Sequence, residues 1–257
     1  MNIFDTHCHL DVEEFDSDRD AVLARCHAKG IQQILVPAVD RQGWDKLLTL
    51  CQQQTGLYPA LGLHPVYIDK HQDSDLQQLE QYLADHQLCA IGEIGLDYFV
   101  EALDKQRQLQ VFEAQLAIAC NANLPVVLHV RKAHDQVLAI LKKYKLSGGF
   151  AHAFNGSLQQ AQQYIDLGFK LGFGGTLTFE RSSKIRARAK DLPLAAIVLE
   201  TDAPDMVVAA HKGERNSPEY IIDSLEALAE LRGMSKDEIA RQTTANAQEV
   251  LRLNIPL

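Results

Sequence analysis

Leu124-Pro125-Val126-Val127-Leu128-His129 is an apolar run of strand length that ends on a histidine. A strand with no polar alternation is buried on both faces, as in a parallel sheet covered by helices. The same pattern recurs outward from this stretch. Gly149-Phe150-Ala151-His152 ends on a second histidine, and Ile91-Gly92-Glu93 ends on a carboxylate. Ile197-Val198-Leu199-Glu200-Thr201-Asp202 ends on another carboxylate, and Ile3-Phe4-Asp5-Thr6-His7-Cys8-His9 carries two histidines.

Apolar runs of strand length occur near 2–7, 32–38, 57–63, 88–94, 125–130, 148–153, 168–174 and 196–201. Between them lie segments with helical spacing, such as Ala21, Val22, Leu23 and Cys26, or Leu109, Val111, Phe112, Leu116 and Ile118. Eight units average about 32 residues, close to the roughly 30 of a βαβ unit and to the ~250 of a closed (β/α)₈ barrel. The predicted fold is therefore α/β, a single (β/α)₈ TIM barrel over 1–257 with an extra C-terminal helix. Ser235-Lys236-Asp237-Glu238 reads as the capping box of that helix, which runs to about Arg252. A doubly wound open sheet would gather ligands at one crevice, whereas polar residues here end strands 1, 4, 5, 6 and 8. No linker or low-complexity tract interrupts the alternation, and the glutamines at 52–54 and 159–163 are expected to face solvent.

The chain is 46% hydrophobic with a formal net charge of -9, so nothing attracts it wholesale to nucleic acid and a polyanion must be gripped locally. Cys8, Cys26, Cys51, Cys89 and Cys120 are odd in number and lack a Cys-x-x-Cys pair, which points to reduced thiols. Strand alternation turns Cys8 away from His7 and His9 and into the barrel wall. With no leader-like N-terminus and no long apolar span, the expectation is a cytoplasmic protein with no membrane association and no obligate protein partner.

In a closed barrel the C-terminal strand ends share one face. His7, His9, Glu93, His129, His152 and Asp202 then become candidate ligands of a common metal site. Any one of these histidines has a bland explanation, a ring satisfied by a backbone carbonyl. That explanation is strained when three apolar strands end in histidine and two more in carboxylates, since an unpaired carboxylate there is costly and a divalent cation makes it favourable. Four imidazoles and two carboxylates exceed one tetrahedral site and suit two cations roughly 3.5 to 4 Å apart. Nitrogen and oxygen ligation together favour zinc or manganese, whereas magnesium, also considered, prefers more oxygen.

Asp5-Thr6-His7-Cys8-His9-Leu10, Gly62-Leu63-His64-Pro65, Gly92-Glu93-Ile94-Gly95-Leu96-Asp97, Leu128-His129-Val130-Arg131, His152-Ala153-Phe154-Asn155-Gly156-Ser157 and Glu200-Thr201-Asp202-Ala203-Pro204 resemble the motifs of the TatD family of metal-dependent deoxyribonucleases, among the amidohydrolase-like barrels. The resemblance extends to Thr243-Thr244-Ala245-Asn246-Ala247 in the final helix. It implies that His7, His9 and Asp202 hold one metal, that His129 and His152 hold the other, and that Glu93 bridges them. Strand 4, Leu88 to Leu96, has no lysine of the kind that is carboxylated in phosphotriesterase- and amidase-like relatives. Val130 and Ala203-Pro204-Asp205-Met206 depart from the commonest family pattern and suggest a YjjV-like sub-branch with its own substrate preference.

The implied activity is hydrolysis of DNA phosphodiester bonds by a metal-activated water, as a 3′-directed exonuclease on single strands or ends. Asp202 is the expected general base, with Glu93 the second catalytic residue. Arg131 is placed to hold phosphate and His64 to orient substrate. Further rim candidates are Arg181 and Lys184 in a basic stretch over 181–190, and His211, Arg215 and Asn216 in the 203–216 loop. Tyr98, Phe99, Phe154 and Phe179 are candidates for stacking on bases. The competing expectations are a bimetal hydrolase of a small phosphoester, carboxylic ester or amide, and a metal-stabilised binding protein without turnover.

Overall fold

The apolar runs pair in the order in which they occur in the chain. The computed structural model describes residues 1–253 and 255. Strands β1 (Ile3–Asp5), β2 (Ile31–Pro37), β3 (Leu57–Leu61), β4 (Ala90–Asp97), β5 (Val126–Arg131), β6 (Gly149–Ala151), β7 (Phe169–Phe173) and β8 (Ile197–Leu199) form one sheet, each parallel to the next. Among the described residues no regular ladder joins β8 to β1, and the ring closes through hydrogen bonds just past their C-terminal ends. Thr6 N–H donates to the Leu199 carbonyl at 3.0 Å, Asp202 N–H to His7 at 2.8 Å, and His9 N–H to Ala203 at 2.8 Å.

Seven helices return between strands: α1 (Arg19–Ala28), α2 (Trp44–Gln53), α3 (Asp73–Asp85), α4 (Lys105–Ala122), α5 (His134–Leu141), α6 (Leu158–Asp166) and α7 (Ser183–Asp191). Two follow β8: α8 (Ile221–Arg232), which completes the eighth unit, and the expected extra helix α9 (Lys236–Leu251). Ser235 caps α9 by accepting the Glu238 N–H at 3.2 Å, one half of the predicted capping box. A reciprocal box forms instead at α6, between Ser157 and Gln160.

The barrel interior is filled by inward residues. Phe4, Leu35, Ala60, Ala90, Val127, Phe150 and Val198 form one cluster with Ala247, Val250 and Leu251 of α9. Helix α9 thus plugs the N-terminal end of the barrel, as further bonds confirm. Phe4 N–H donates to Thr244 Oγ1, whose hydroxyl donates to the Asn2 carbonyl, both at 3.1 Å, while Asn246 Nδ2 donates to the carbonyls of Leu194 and Ile197. With that end closed and packed, the cavity opens at the opposite face, where the strands deliver their polar ends.

Candidate metal centre

The six candidate ligands arrive at the open face from five strands. His7 and His9 are two residues apart on extended backbone beyond β1 and so project to one side. Glu93 lies within β4, His129 in β5, His152 just after β6, and Asp202 three residues past β8. Asp202 has φ +56°, a left-handed conformation available at low cost mainly to Gly, Asn and Asp. The turn carries its carboxylate back over the mouth.

Glu93 is the centre of the arrangement. Its Oε2 lies 2.9 Å from His7 Nε2 and 3.4 Å from His9 Nε2, while its Oε1 lies 3.0 Å from His129 Nδ1 and 3.3 Å from His64 Nε2. The two oxygens of one carboxylate therefore face two groups of imidazoles. Asp202 Oδ1 sits 3.6 Å from His7 Nε2 and 3.5 Å from His9 Nε2, and its Oδ2 is 3.5 Å from His152 Nε2. Donor atoms converge within 4.8 Å in three sets: His7, His9 and Asp202; His7, Glu93 and His152; His64, Glu93 and His129. His152 stacks on His7, with ring centroids 3.8 Å apart, so it stands nearer that ring than the pairing with His129 implied by the family resemblance.

In His9 and His129 the second ring nitrogen fixes what the first one presents. His9 Nδ1 donates to the Pro37 carbonyl at 3.0 Å, and His129 Nε2 donates to Asp97 Oδ2 at 3.0 Å. His152 Nδ1 lies 3.0 Å from Glu200 Oε1. In the neutral form, His9 and His129 held this way aim lone pairs at carboxylate oxygens, an arrangement that suits a cation between them. Burial opposes protonation of His9, His129 and His152, yet the carboxylates of Asp202, Glu93, Asp97 and Glu200 outweigh it and raise all three above the ordinary imidazole value. A divalent cation would compete with protons for these nitrogens. The donor set fits a cation.

His64 stands apart by its tautomer. Its Nδ1 accepts the Val66 N–H at 3.1 Å, which leaves the ring proton on Nε2, facing Glu93 and His129. Burial lowers its pKa to about 4, so the ring is neutral and a hydrogen-bond donor. It is within reach of the ligands without presenting a lone pair.

Three carboxylates escaped the sequence reading. Asp97 orients His129 with Oδ2, and its Oδ1 accepts the N–H groups of Phe99 at 2.9 Å and Val100 at 3.1 Å. These bonds overcome burial and bring its pKa to about 2. Glu200 accepts the Ala153 N–H at 2.7 Å beside His152, and a Cβ on Gly172 would lie 2.0 Å from its other oxygen, so only glycine fits there. Asp5, pushed up to about 8 by burial, accepts the N–H groups of His7 and Thr201 and the Thr201 hydroxyl, tying β1 to β8 under the ligands. The available signal was spacing: Asp5 precedes His7, and Glu200 precedes Asp202, by two residues.

Asp97→Asn is expected to weaken metal binding about 10- to 100-fold, the usual cost of removing a carboxylate that orients a ligating histidine. The new amide nitrogen would confront the His129 Nε2–H. A competition titration against a chromophoric chelator reads the change, and an unchanged affinity would remove Asp97 from the site.

Other sequence expectations divide cleanly. Arg131 lines the cavity of about 550 Å³ that also holds His9, His64, Glu93, His129, His152 and Asp202. Its guanidinium lies 3.7 Å from the centroid of Phe99, which is exposed. Phe154, expected as a stacking residue, is instead 1% exposed and packs on His134, Tyr164 and Phe173, because the left-handed turn at Ala153 (φ +45°) folds it inward. Tyr98 is half-buried against the core, and Phe179 sits under Arg181. Arg181 precedes α7 instead of lying in it, and Lys184 is exposed on its first turn.

The 203–216 candidates are already engaged. Arg215 makes a bidentate pair with Asp18 at 2.9 and 2.8 Å, His211 pairs with Glu214 and stacks on Tyr220, and buried Asn216 donates to the carbonyls of Thr201 and Asp205. They hold the loop, not substrate. Cys8 is buried in the wall as predicted, all five cysteines are unpaired, and the glutamines of 52–54 and 159–163 lie at the surface or only partly buried. Among the described residues no helix is long and apolar enough to cross a membrane.

Comparison with known proteins converges on one family. The TatD related DNase family matches residues 4–252. An uncharacterized metal-dependent hydrolase of Escherichia coli K12, YjjV, is 42% identical, with 98% of each chain covered. The protein named 3′-5′ ssDNA/RNA exonuclease TatD of Klebsiella pneumoniae is 30% identical over 98% of this chain and 99% of its own. The crystal structure of YjjV, a TatD homologue from Escherichia coli, superposes with a TM-score of 0.94 at 41% identity, covering 99% of this chain and 98% of that one.

Proposed function

Because the chain belongs to the TatD family of metal-dependent hydrolases acting on ester bonds, we propose that it is a deoxyribonuclease that removes nucleotides from single-stranded DNA in the 3′-to-5′ direction. The observation that carries this reading is Glu93, whose two carboxylate oxygens face separate imidazole groups. A bridging carboxylate of this kind suits two cations, and two cations suit phosphodiester hydrolysis. The strand type and polarity rest on the name of the Klebsiella relative.

His7, His9 and Asp202 would hold one divalent cation, zinc, manganese or magnesium, and His129 with Glu93 a second, while His152, whose donor atom converges with those of His7 and Glu93, would complete either. When bound, the cations supply Lewis-acid stabilisation of charge on the phosphoryl oxygens and lower the pKa of water.

The chain's own residues do the rest. The Asp202 side chain is 16% exposed, against 2% for Glu93, so Asp202 is the carboxylate that reaches an incoming water and takes its proton. As the new P–O bond forms, the scissile P–O bond breaks, and the sugar oxygen leaves with that bond's electron pair and is protonated by the proton Asp202 took from water. Arg131, free of any carboxylate partner among its described contacts, presents its fork to the phosphate next to the scissile one. His64 donates from Nε2 to a phosphoryl oxygen, a role for which its neutral tautomer is already set.

The test is digestion of single-stranded DNA labelled separately at each end, with added magnesium, manganese or zinc. Metal-dependent loss of the 3′ label before the 5′ label is expected. Release from the 5′ end first would reverse the polarity, and intact DNA with every metal would sink the nuclease reading in favour of a small ester.

A further inference from the structure

The mouth of the barrel is electrically lopsided. Around a ring of eight strands in order, β4 and β5 lie across from β8 and β1. Arg131 enters the cavity wall from the end of β5, where the neighbouring carboxylate, Asp97 of β4, is fully buried against His129, whereas the exposed Glu14 and Asp205 enter it from the segments that follow β1 and β8. A polyanion approaching this mouth is drawn to the β4–β5 side and repelled by the other.

On the β4–β5 side stands an aromatic ring with no core to pack against. Phe99 is 46% exposed, one of four large hydrophobics that are exposed among the described residues. Two cations attend it: the Arg131 guanidinium carbon at 3.7 Å from the ring centroid and Lys132 Nζ at 4.7 Å. Lys132 has φ +53°, a left-handed conformation that lysine seldom adopts, and the turn keeps its ammonium beside the ring. The platform is anchored to the site. The Tyr98 N–H donates to the Arg131 carbonyl at 2.9 Å, and Asp97, which orients His129, also holds the Phe99 N–H.

An exposed ring flanked by two cations, beside a phosphodiester site and across from an acidic wall, has the chemistry of a single-strand subsite: a face for any base and a charge for the phosphate on either side of it. We propose that the strand enters over the β4–β5 edge with one base stacked on Phe99 and its flanking phosphates held by Arg131 and Lys132, while Glu14 and Asp205 turn the polyanion back across the mouth. Lys132, exposed on a flexible stem, yields the ring face to the base and takes a phosphate instead. The acidic wall opposes a strand running straight through, so the chain's end is what reaches Asp202. This inference rests on the deoxyribonuclease reading and extends it to the path of the substrate.

The experiment is an anisotropy titration of metal-loaded protein with a short fluorescent oligothymidylate carrying phosphorothioate linkages to suppress cleavage. Phe99→Ala should weaken binding about 10-fold, the scale of one base–aromatic stack, and Phe99→Trp should restore it. Lys132→Ala should lower the slope of log affinity against log salt by about 0.7, one single-strand phosphate contact. Wild-type affinity in Phe99→Ala, from protein that digests DNA normally, would overturn the platform and leave the nuclease reading intact. A wild-type protein that neither binds the oligonucleotide nor digests DNA would overturn both.

Discussion

Glu93→Gln is expected to lower kcat/KM on single-stranded DNA by at least about 10³-fold, beyond the cost of losing one transition-state contact, and to reduce bound metal by at least one ion per chain. The substitution keeps the shape of the side chain and halves its acceptor capacity. At present one oxygen faces His7 and His9 and the other faces His129 and His64. An amide must turn its NH₂ toward one of these groups, where it meets imidazole nitrogens without the charge that a cation requires. Burial raises the cost, since at 1% exposure no water can replace the lost acceptor. Plasma-emission counting of metal beside a rate measurement checks both halves. Turnover within about 10-fold of wild type at unchanged metal content would show that Glu93 bridges nothing.

Asp202→Asn should cost about 10² to 10⁴ in kcat while shifting unfolding free energy by less than about 1 kcal/mol. Asparagine is the informative replacement because it accepts the left-handed backbone that Asp202 occupies at φ +56°, so the turn after β8 survives. What disappears is the anion. Burial would push this carboxyl up, but His152 and His9 hold it well below the usual carboxylate range, so it is ionised at neutral pH. An amide cannot receive the water's proton. Rate and denaturant midpoint, measured on the same preparation, separate the explanations, and a variant that loses stability in proportion to turnover would make Asp202 a structural residue.

The fold was legible because burial on both faces leaves an unmixed signal. Run 125–130 became β5 (Val126–Arg131) and run 168–174 became β7 (Phe169–Phe173), each shifted by a residue or so. The largest difference lies at β4, which continues past 94 to Asp97 because Gly95, Leu96 and Asp97 pair with His129, Val130 and Arg131. Local patterning assigns a residue to a face but cannot say which side chain from another strand meets it there. Asp97 and Glu200 were therefore invisible as partners of His129 and His152. Arg215 looked like a free cation because Asp18, which occupies it, lies at the far end of the chain. Phe154 looked like a rim residue because the inward turn at Ala153 leaves no mark on hydrophobicity.

The plug formed by α9 also sets a timetable. His7 and His9 leave the ribosome first, but their strand finds its β8 neighbour only after the chain has passed Leu199, and Phe4 and Asn2 gain the Thr244 bonds later still. Until then the nascent sheet has two open edges and a hollow lower end. A translation product interrupted just before this helix would carry all six ligands and yet lack the floor that holds them in register, so its synthesis yields an aggregation-prone fragment and not a half-active enzyme.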